Sequence, residues 1–347
     1  MDTQYVKISV IIPVYKAEKY ISRALESVLS QSFNNYEIIC VNDGSPDRSL
    51  EIIQRYAEKH SNIRIIDKSN EGVWRARLDG VSAASGEYIA FLDADDYVSE
   101  DFLEKLYTRA NETRADITVC GFRRIDNSTG HVYSTEMCGF GNAVIDVEKN
   151  TQKLLQINGA LWNKLYRATL FQNVKDLKSR PRALEDAILL MQLYQFASKI
   201  AFIPESLYSY MIIDGSTMQT LSRDNVMIIS DALLDLKQIY EENSNSHNLM
   251  DLLSAMAFIH FGVSIMLRRY ISKEKTFKLE LKETKSFLNA NFPLWKKSRC
   301  LKLSLAIIGK GNLKSAIMKH IFNLNLFRPF LALYVFITKK LKIDIKW

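Results

Sequence analysis

The chain has 347 residues, 47% hydrophobic and 24% charged, an ordinary globular composition at a length that suits two domains. That excludes a disordered or collagen-like chain and a disulfide-stapled miniprotein, and the four scattered cysteines (Cys40, Cys120, Cys138, Cys300) form neither a disulfide framework nor a zinc-ligand spacing. The net charge of +7 is uneven: Arg268 to Trp347 holds 19 basic and four acidic residues, leaving the first 267 residues at −8, so the basic end points to a polyanionic partner.

Met-Asp-Thr-Gln-Tyr at the start has no basic n-region and no long apolar core, so no secretory signal is expected. Ile8 to Tyr15 is short, apolar and β-branched, the pattern of a buried strand. Ile21, Ala24, Leu25, Val28 and Leu29 then mark one apolar stripe of a helix. Glu37 to Val41 reads as a second strand ending in the turn signal Asn42-Asp43-Gly44-Ser45. A helix through Leu50 and Ala57, a strand over 63–66 and a helix over 73–84 follow. Ser85-Gly86 stops that helix, and the strand from Tyr88 to Leu92 runs straight into Asp93-Ala94-Asp95-Asp96. Asp101 to Thr113 is helical and Asp116 to Phe122 a further strand. Alternating strands and helices predict an α/β fold with a mostly parallel central sheet. Beyond about residue 215 only helical patterns appear (226–240, 249–270, 277–288), which predicts a smaller all-helical second domain. The longest apolar run near the end, Phe330 to Ile337, is too short for a membrane span, which needs about 20 residues.

Ligands of open α/β sheets bind beyond the carboxyl ends of the strands. Three polar clusters stand at such ends: Val14-Tyr15, Asp43-Gly44-Ser45 and Asp93-Ala94-Asp95-Asp96. Three carboxylates within four residues repel one another unless a cation sits among them. Oxygen ligands of this kind suit Mg²⁺ or Mn²⁺, shared with substrate phosphates. A helix start would account for Asp96 but not for carboxylates abutting a buried strand. Taken alone, Asp43 reads equally as a turn residue or as an acceptor for a nucleotide base or ribose. Neither G-x-G-x-x-G nor G-x-x-x-x-G-K-[ST] occurs, which argues against dinucleotide enzymes and P-loop NTPases. Basic side chains must then help to neutralise a diphosphate. Arg77 is a candidate, and an ordinary solvated helix face explains it equally well.

Ile11-Ile12-Pro13-Val14-Tyr15, Val41 to Asp47, Asn70-Glu71-Gly72 with Ala76-Arg77, and Ser85 to Ile89 leading into the acidic cluster together resemble glycosyltransferase family 2, over roughly residues 7–215. The resemblance implies a GT-A nucleotide-sugar-binding domain over 1–215, with a nucleotide-sugar part to about 122 and an acceptor part over about 123–215. The helical domain would occupy 216–347. It implies that Pro13, Tyr15 and Asp43 line the base, that Asp93 and Ala94 lie at the ribose or sugar, that Asp95 ligates Mn²⁺ or Mg²⁺, and that Arg77 faces the nucleotide-sugar. Trp162-Asn163-Lys164-Leu165-Tyr166 and Leu184-Glu185-Asp186 resemble two later motifs of the bacterial polysaccharide branch, which implies that Asp186 is the catalytic base. Lys164 would serve the acceptor or phosphate side, whereas Trp162, Leu165 and Tyr166 could simply pack. On residue pattern alone, Glu185-Asp186 reads first as the acidic start of a helix. His260, in an apolar helix, reads as a buried residue rather than a ligand. The segment from Tyr208 to Ser216 departs from the family pattern, with Met211 where members often carry Arg.

The implied activity is inverting transfer of one sugar from a nucleotide diphosphate sugar, UDP by family habit, to a hydroxyl of a lipid-linked or polysaccharide acceptor in bacterial surface glycan synthesis. The processive-synthase motif Q-x-x-R-W is absent. Two other readings stand beside it: a sugar-phosphate nucleotidyltransferase, which would release pyrophosphate, and an inactive sugar-binding scaffold.

From Lys285 to Trp347 there are 13 basic residues and one acidic, interleaved with Phe, Trp, Ile and Leu. A helix lying on an anionic membrane surface fits this pattern. The other readings are packing on the helical domain or a second subunit, as in a homo-oligomer, and nucleic acid, which is the least favoured and is not an expected partner. The expected location is cytoplasmic, peripheral on the inner face of the cell membrane.

Overall fold

Every residue of β1 (Ile8–Val14) is buried, as an apolar run interrupted only by Ser9 requires of a central strand covered on both faces. The structure is a computed structural model that describes residues 6–181, 183–213, 221–243, 249–272, 275–307 and 312–341. The chain divides into two compact units. The first comprises Met1–Asp146, Gly159–Val174 and Glu185–Asp214; the second comprises Val147–Asn158, Lys175–Leu184 and Gly215–Trp347. Two short segments inside the range expected for the catalytic domain therefore go with the second unit.

The first unit is built on one sheet. Its strands, after β1, are β2 (Tyr36–Asp43), β3 (Ile63–Lys68), β4 (Tyr88–Phe91), β5 (Tyr97–Val98), β6 (Ile117–Asp126), β7 (Val132–Glu136), β8 (Val144–Asp146), β9 (Lys164–Arg167) and β10 (Lys199–Ile212). The order is β3-β2-β1-β4-β9-β6-β10-β5, with β7 on β6 and β8 on β10. The sheet is mixed rather than mostly parallel. β3-β2-β1-β4 pair in parallel, as their helical crossovers require, and so do β6 and β10. The exception in the middle is β9, which enters between β4 and β6 antiparallel to both. β9 has four residues, Lys-Leu-Tyr-Arg, none β-branched, and no local pattern marks it as a strand. β10, fourteen residues long, includes Tyr208 to Ile212, the first part of the segment that departs from the family pattern; Asp214 to Ser216 lie outside the described residues.

Alternation along β1 sorts the packing. Ile8, Val10, Ile12 and Val14 join one core cluster with Ile21, Leu25 and Val28 of α1 (Ile21–Leu29). The Tyr56 hydroxyl of α2 (Ser49–Ala57) donates to Glu26. On the opposite face α3 (Val73–Ala83) lies against Ile11 and Val41. Gly80 makes this contact: a Cβ there would stand 2.4 Å from Ile11 Cγ2. α4 (Phe102–Thr113) adds Phe102, Leu103 and Leu106 to the first cluster. The short α5 (Thr151–Leu154) belongs to the second unit, and α6 (Glu185–Tyr194) returns to the first.

In the second unit no strand occurs among the described residues. Its helices include Arg223–Glu242, Met250–Ile271, Phe277–Asn291, Leu313–Asn323 and Phe327–Leu341. Phe258, fully buried, stacks on Trp295 with centroids 4.7 Å apart, and Phe322 meets both edge-on. Arg269 donates to both oxygens of Glu280 at 2.7 and 2.6 Å, both side chains being buried. The helix Met250–Ile271 is long and apolar enough to cross a membrane by length and composition, but 78% of its apolar window is buried inside the unit. The sequence reading counted no such stretch, because Ser254, His260 and Ser264 break the apolar run. Burial pushes His260 down to about 4.

Candidate active site

β1, β2 and β4 end at one edge of the sheet. Just past β1, Tyr15 is 47% exposed, while Pro13 lies buried within the strand. Lys16 beside Tyr15 has φ 55°, a left-handed conformation that is uncommon outside glycine. At the end of β2, Asp43 is buried and accepts from the amides of Glu71 (2.9 Å) and Gly72 (2.8 Å). Gly44 turns the chain with φ +65°. Asp43 thus fixes the entry to α3, satisfying amides at a helix start that have no partner within the helix.

α3 delivers Arg77, which is not on a solvated face but buried. Its Nη1 bonds Asp186 Oδ1 and lies 3.8 Å from Glu185 Oε1; its Nη2 donates to Asp93 Oδ1 at 3.1 Å. One guanidinium therefore joins the acidic strand end to the acidic start of α6. Burial opposes its charge, but Asp186, Asp93 and Glu185 more than offset that and hold it cationic. Burial raises Asp186 despite Arg77. Glu185 is pushed up to about 7 by burial and by Asp186 beside it. Leu184, directly before the pair, has φ 66°, a conformation with a real cost for a bulky side chain. The sequence placed Asp186 at the site; it gave no sign that Glu185 and Asp93 share one arginine with it.

The four residues Asp93 to Asp96 have different fates. Ala94 is buried. Asp95 is partly exposed and is held up at about 6 by burial and by Asp93. Its backbone carbonyl accepts from Arg23 Nη2 at 2.6 Å. Asp96 caps no helix: the nearest, α4, begins at Phe102 with Asp101 before it. Asp96 is fully buried, accepting from Tyr208 Oη and the Met211 amide, each at 2.7 Å. Tyr208 Oη in turn accepts from the Asp93 amide at 3.3 Å. β10 is thus tied to the acidic turn, and Met211 contributes its backbone there. Arg23 and Tyr208 were missed by the sequence reading. Arg23 fills a polar position of an amphipathic helix and Tyr208 an ordinary strand position, so neither carried a local signal.

Lys164 is fully buried. Its ammonium donates to the Ala160 carbonyl (2.5 Å) and to Asn163 Oδ1 (2.8 Å), and burial lowers it to about 7. It has no surface toward solvent from which to reach a phosphate; in this arrangement it braces the turn before β9. Trp162 packs, as one reading had it, stacked on Tyr208 at 4.4 Å and Tyr210 at 5.5 Å.

Strand ends that gather carboxylates around a buried arginine mark the ligand-binding edge of an α/β sheet, and the chain belongs to glycosyl transferase family 2. Residues 9–177 match the family named Glycosyl transferase family 2. Glycosyltransferase GlyG of Streptococcus pneumoniae is 32% identical over 242 residues, 66% of this chain and 80% of GlyG. The uncharacterized glycosyltransferase EpsJ of Bacillus subtilis is 34% identical over 209 residues, 58% of this chain and 60% of EpsJ. With glycosyltransferase GlyA of S. pneumoniae, 31% identical, the match spans 34% of that protein's length. The fold is shared with S. aureus TarS 1-349, at a TM-score of 0.68 and 19% identity, covering 92% of each chain.

Proposed function

We propose that the chain is an inverting glycosyltransferase that moves one sugar from a nucleotide diphosphate sugar to an acceptor hydroxyl. The observation that carries this reading is Arg77, which links Asp93 at the end of β4 to Asp186 at the start of α6. Family membership supports the reaction class. Structural relative TarS has been solved with UDP-GlcNAc. A poly(ribitol-phosphate) beta-glucosyltransferase of Bacillus spizizenii is 34% identical over 59% of this chain, which is 32% of that protein. The first supports a UDP-sugar donor and the second a polymer acceptor of the poly(ribitol-phosphate) kind.

In the proposed reaction the acceptor oxygen attacks the anomeric carbon from the face opposite the diphosphate. The new carbon–oxygen bond forms as the bond to the diphosphate oxygen breaks, and nucleoside diphosphate departs. The acceptor proton passes to Asp186, a carboxylate that burial has already made more basic. Arg77 orients Asp186 and partly offsets the burial that raises it. Tyr15 offers an exposed ring for the base.

Asp95, with Asp93, would hold a divalent cation, Mn²⁺ or Mg²⁺, whose chemistry is countercharge for the leaving diphosphate. The donor set fits such an ion, with two carboxylates two residues apart just past β4. Among the described residues no group of three or more His, Cys, Asp or Glu side chains could cage a metal. That suits ions that take one or two carboxylates and complete their shell with substrate phosphate.

The test is nucleoside diphosphate release from a panel of nucleotide sugars with Mn²⁺, Mg²⁺ or EDTA. Release from one donor is expected, abolished by EDTA and by Asp95→Ala. Asp186→Asn should lower kcat about 10²–10⁴-fold and leave donor affinity within about threefold. Pyrophosphate as product would instead mark a nucleotidyltransferase. No release and no nucleotide binding would sink the enzyme reading.

A further inference from the structure

The helix Phe327–Leu341 carries apolar side chains on both of its faces. Phe327, Leu331 and Thr338 are buried against the second unit. On the opposite side Leu333 (59% exposed), Phe336 (64%) and Ile337 face outward. With Pro329 and Lys340 they follow i, i+4, i+7, i+8, i+11, one stripe at helical spacing. The helix Leu313–Asn323 repeats the arrangement: Ala316, Met318 and Phe322 are buried, while Leu313 and Ile317 are exposed and in line with Leu324 just beyond it. Isolated exposed leucines are normal, whereas two consecutive helices each presenting an apolar stripe mark an interaction surface.

Charge selects the occupant. From Lys285 to Leu341 the sequence has eleven basic residues and no acidic one. Lys314, Arg328 and Lys340 are exposed on the two helices that carry the stripes. A second copy related by two-fold symmetry would set this basic surface against itself. An anionic lipid surface accepts both features: apolar side chains enter the headgroup boundary while lysines and arginines meet lipid phosphates. A helix of 15 residues is about 22 Å long, too short for a hydrocarbon core of about 30 Å, so it lies on the surface rather than crossing. Ile308 and the end of the basic run, Lys342 to Trp347, lie outside the described residues and carry none of this argument.

We propose that the outward faces of Leu313–Asn323 and Phe327–Leu341 form a docking surface for an anionic lipid bilayer. The proposal is independent of the sugar-transfer reading. It is tested by sedimenting the full chain with vesicles of phosphatidylglycerol and phosphatidylcholine, or of phosphatidylcholine alone, without donor or acceptor. Binding to the anionic vesicles is expected to be at least about tenfold tighter and to weaken at high salt. The variant Leu333→Gln/Phe336→Gln/Ile337→Gln should lose about tenfold or more while far-UV circular dichroism stays unchanged. Lys314→Glu/Arg328→Glu/Lys340→Glu should lose a similar factor for the anionic vesicles alone. Equal binding to both vesicle types, or no effect of either variant, overturns the proposal. So does a wild-type dimer in sedimentation velocity that the apolar variant converts to monomer, since the surface would then belong to a second copy.

Discussion

Arg77 is the cation shared by three carboxylates from two distant segments, so its loss should be felt first in stability. In Arg77→Gln, Asp93, Asp186 and Glu185 would face one another without a cation. Breaking a buried pair in this way costs about 3–5 kcal/mol. The loss should be larger near pH 8 than near pH 5, because Glu185, pushed up to about 7, holds a proton at the lower pH and there needs the guanidinium less. Urea unfolding at the two pH values measures it; a cost independent of pH would mean that packing, not charge, is Arg77's contribution. Glu185 gives a second pH signature. Its carboxyl, ordinarily at 4.5, is held at about 7. Between those values the folded state keeps a proton that the unfolded chain has released, so stability falls as pH rises through the window. Thermal melting of the wild type should therefore decline from pH 4.5 to 7, and Glu185→Gln should decline less. At this scale Asp93 and Asp95 were legible because carboxylates abut an apolar strand, whereas Asp186 was marked by the family resemblance and not by its local pattern. Arg77 was legible as a candidate, but not its burial or its three carboxylate partners, since Arg75 and Arg77 stand two residues apart on one helix and nothing local says which is buried.

α3 is the element on which the site depends. Asp43 fixes its entry through Glu71 and Gly72, Gly80 sets its depth on β1 and β2, and Arg77 lies between. In Gly80→Val, Cβ would lie 2.4 Å from Ile11 Cγ2, on a buried strand that cannot give way. Overpacking of this kind costs about 1–3 kcal/mol. Because Arg77 would be lifted with the helix, donor turnover should fall further than the stability loss explains. Turnover measured well below the melting temperature separates the two; normal turnover there would show that α3 does not set the position of Arg77. The helical crossovers made β1 to β4 readable, but β9 and β5 have four and two residues and exist only through the strands they pair with.

At the scale of the whole molecule, the question is what the apolar helix Met250–Ile271 faces. Phe258 in it is packed between Trp295 and Phe322. Phe258→Ala should cost about 3–5 kcal/mol in urea unfolding followed by tryptophan fluorescence, as expected for a large core side chain. A lipid-facing Phe258 would leave unfolding in detergent-free buffer nearly unchanged. Charge asymmetry between the chain's two parts belongs to this scale as well, since no single residue displays it.

Strand ends, the acidic cluster, the change to all-helical texture near residue 215 and the basic run are properties of neighbouring residues, and periodicity and composition report such properties directly. Other features arise from residues far apart in the chain. Arg77 meets Asp186 across 109 positions, Asp96 finds Tyr208 across 112, and β9 turns antiparallel between β4 and β6. Burial of Lys164 is of the same kind. Those outcomes depend on register and packing between segments that share no local pattern. Only the folded chain brings them together, and its low-dielectric interior then sets the charge on each group.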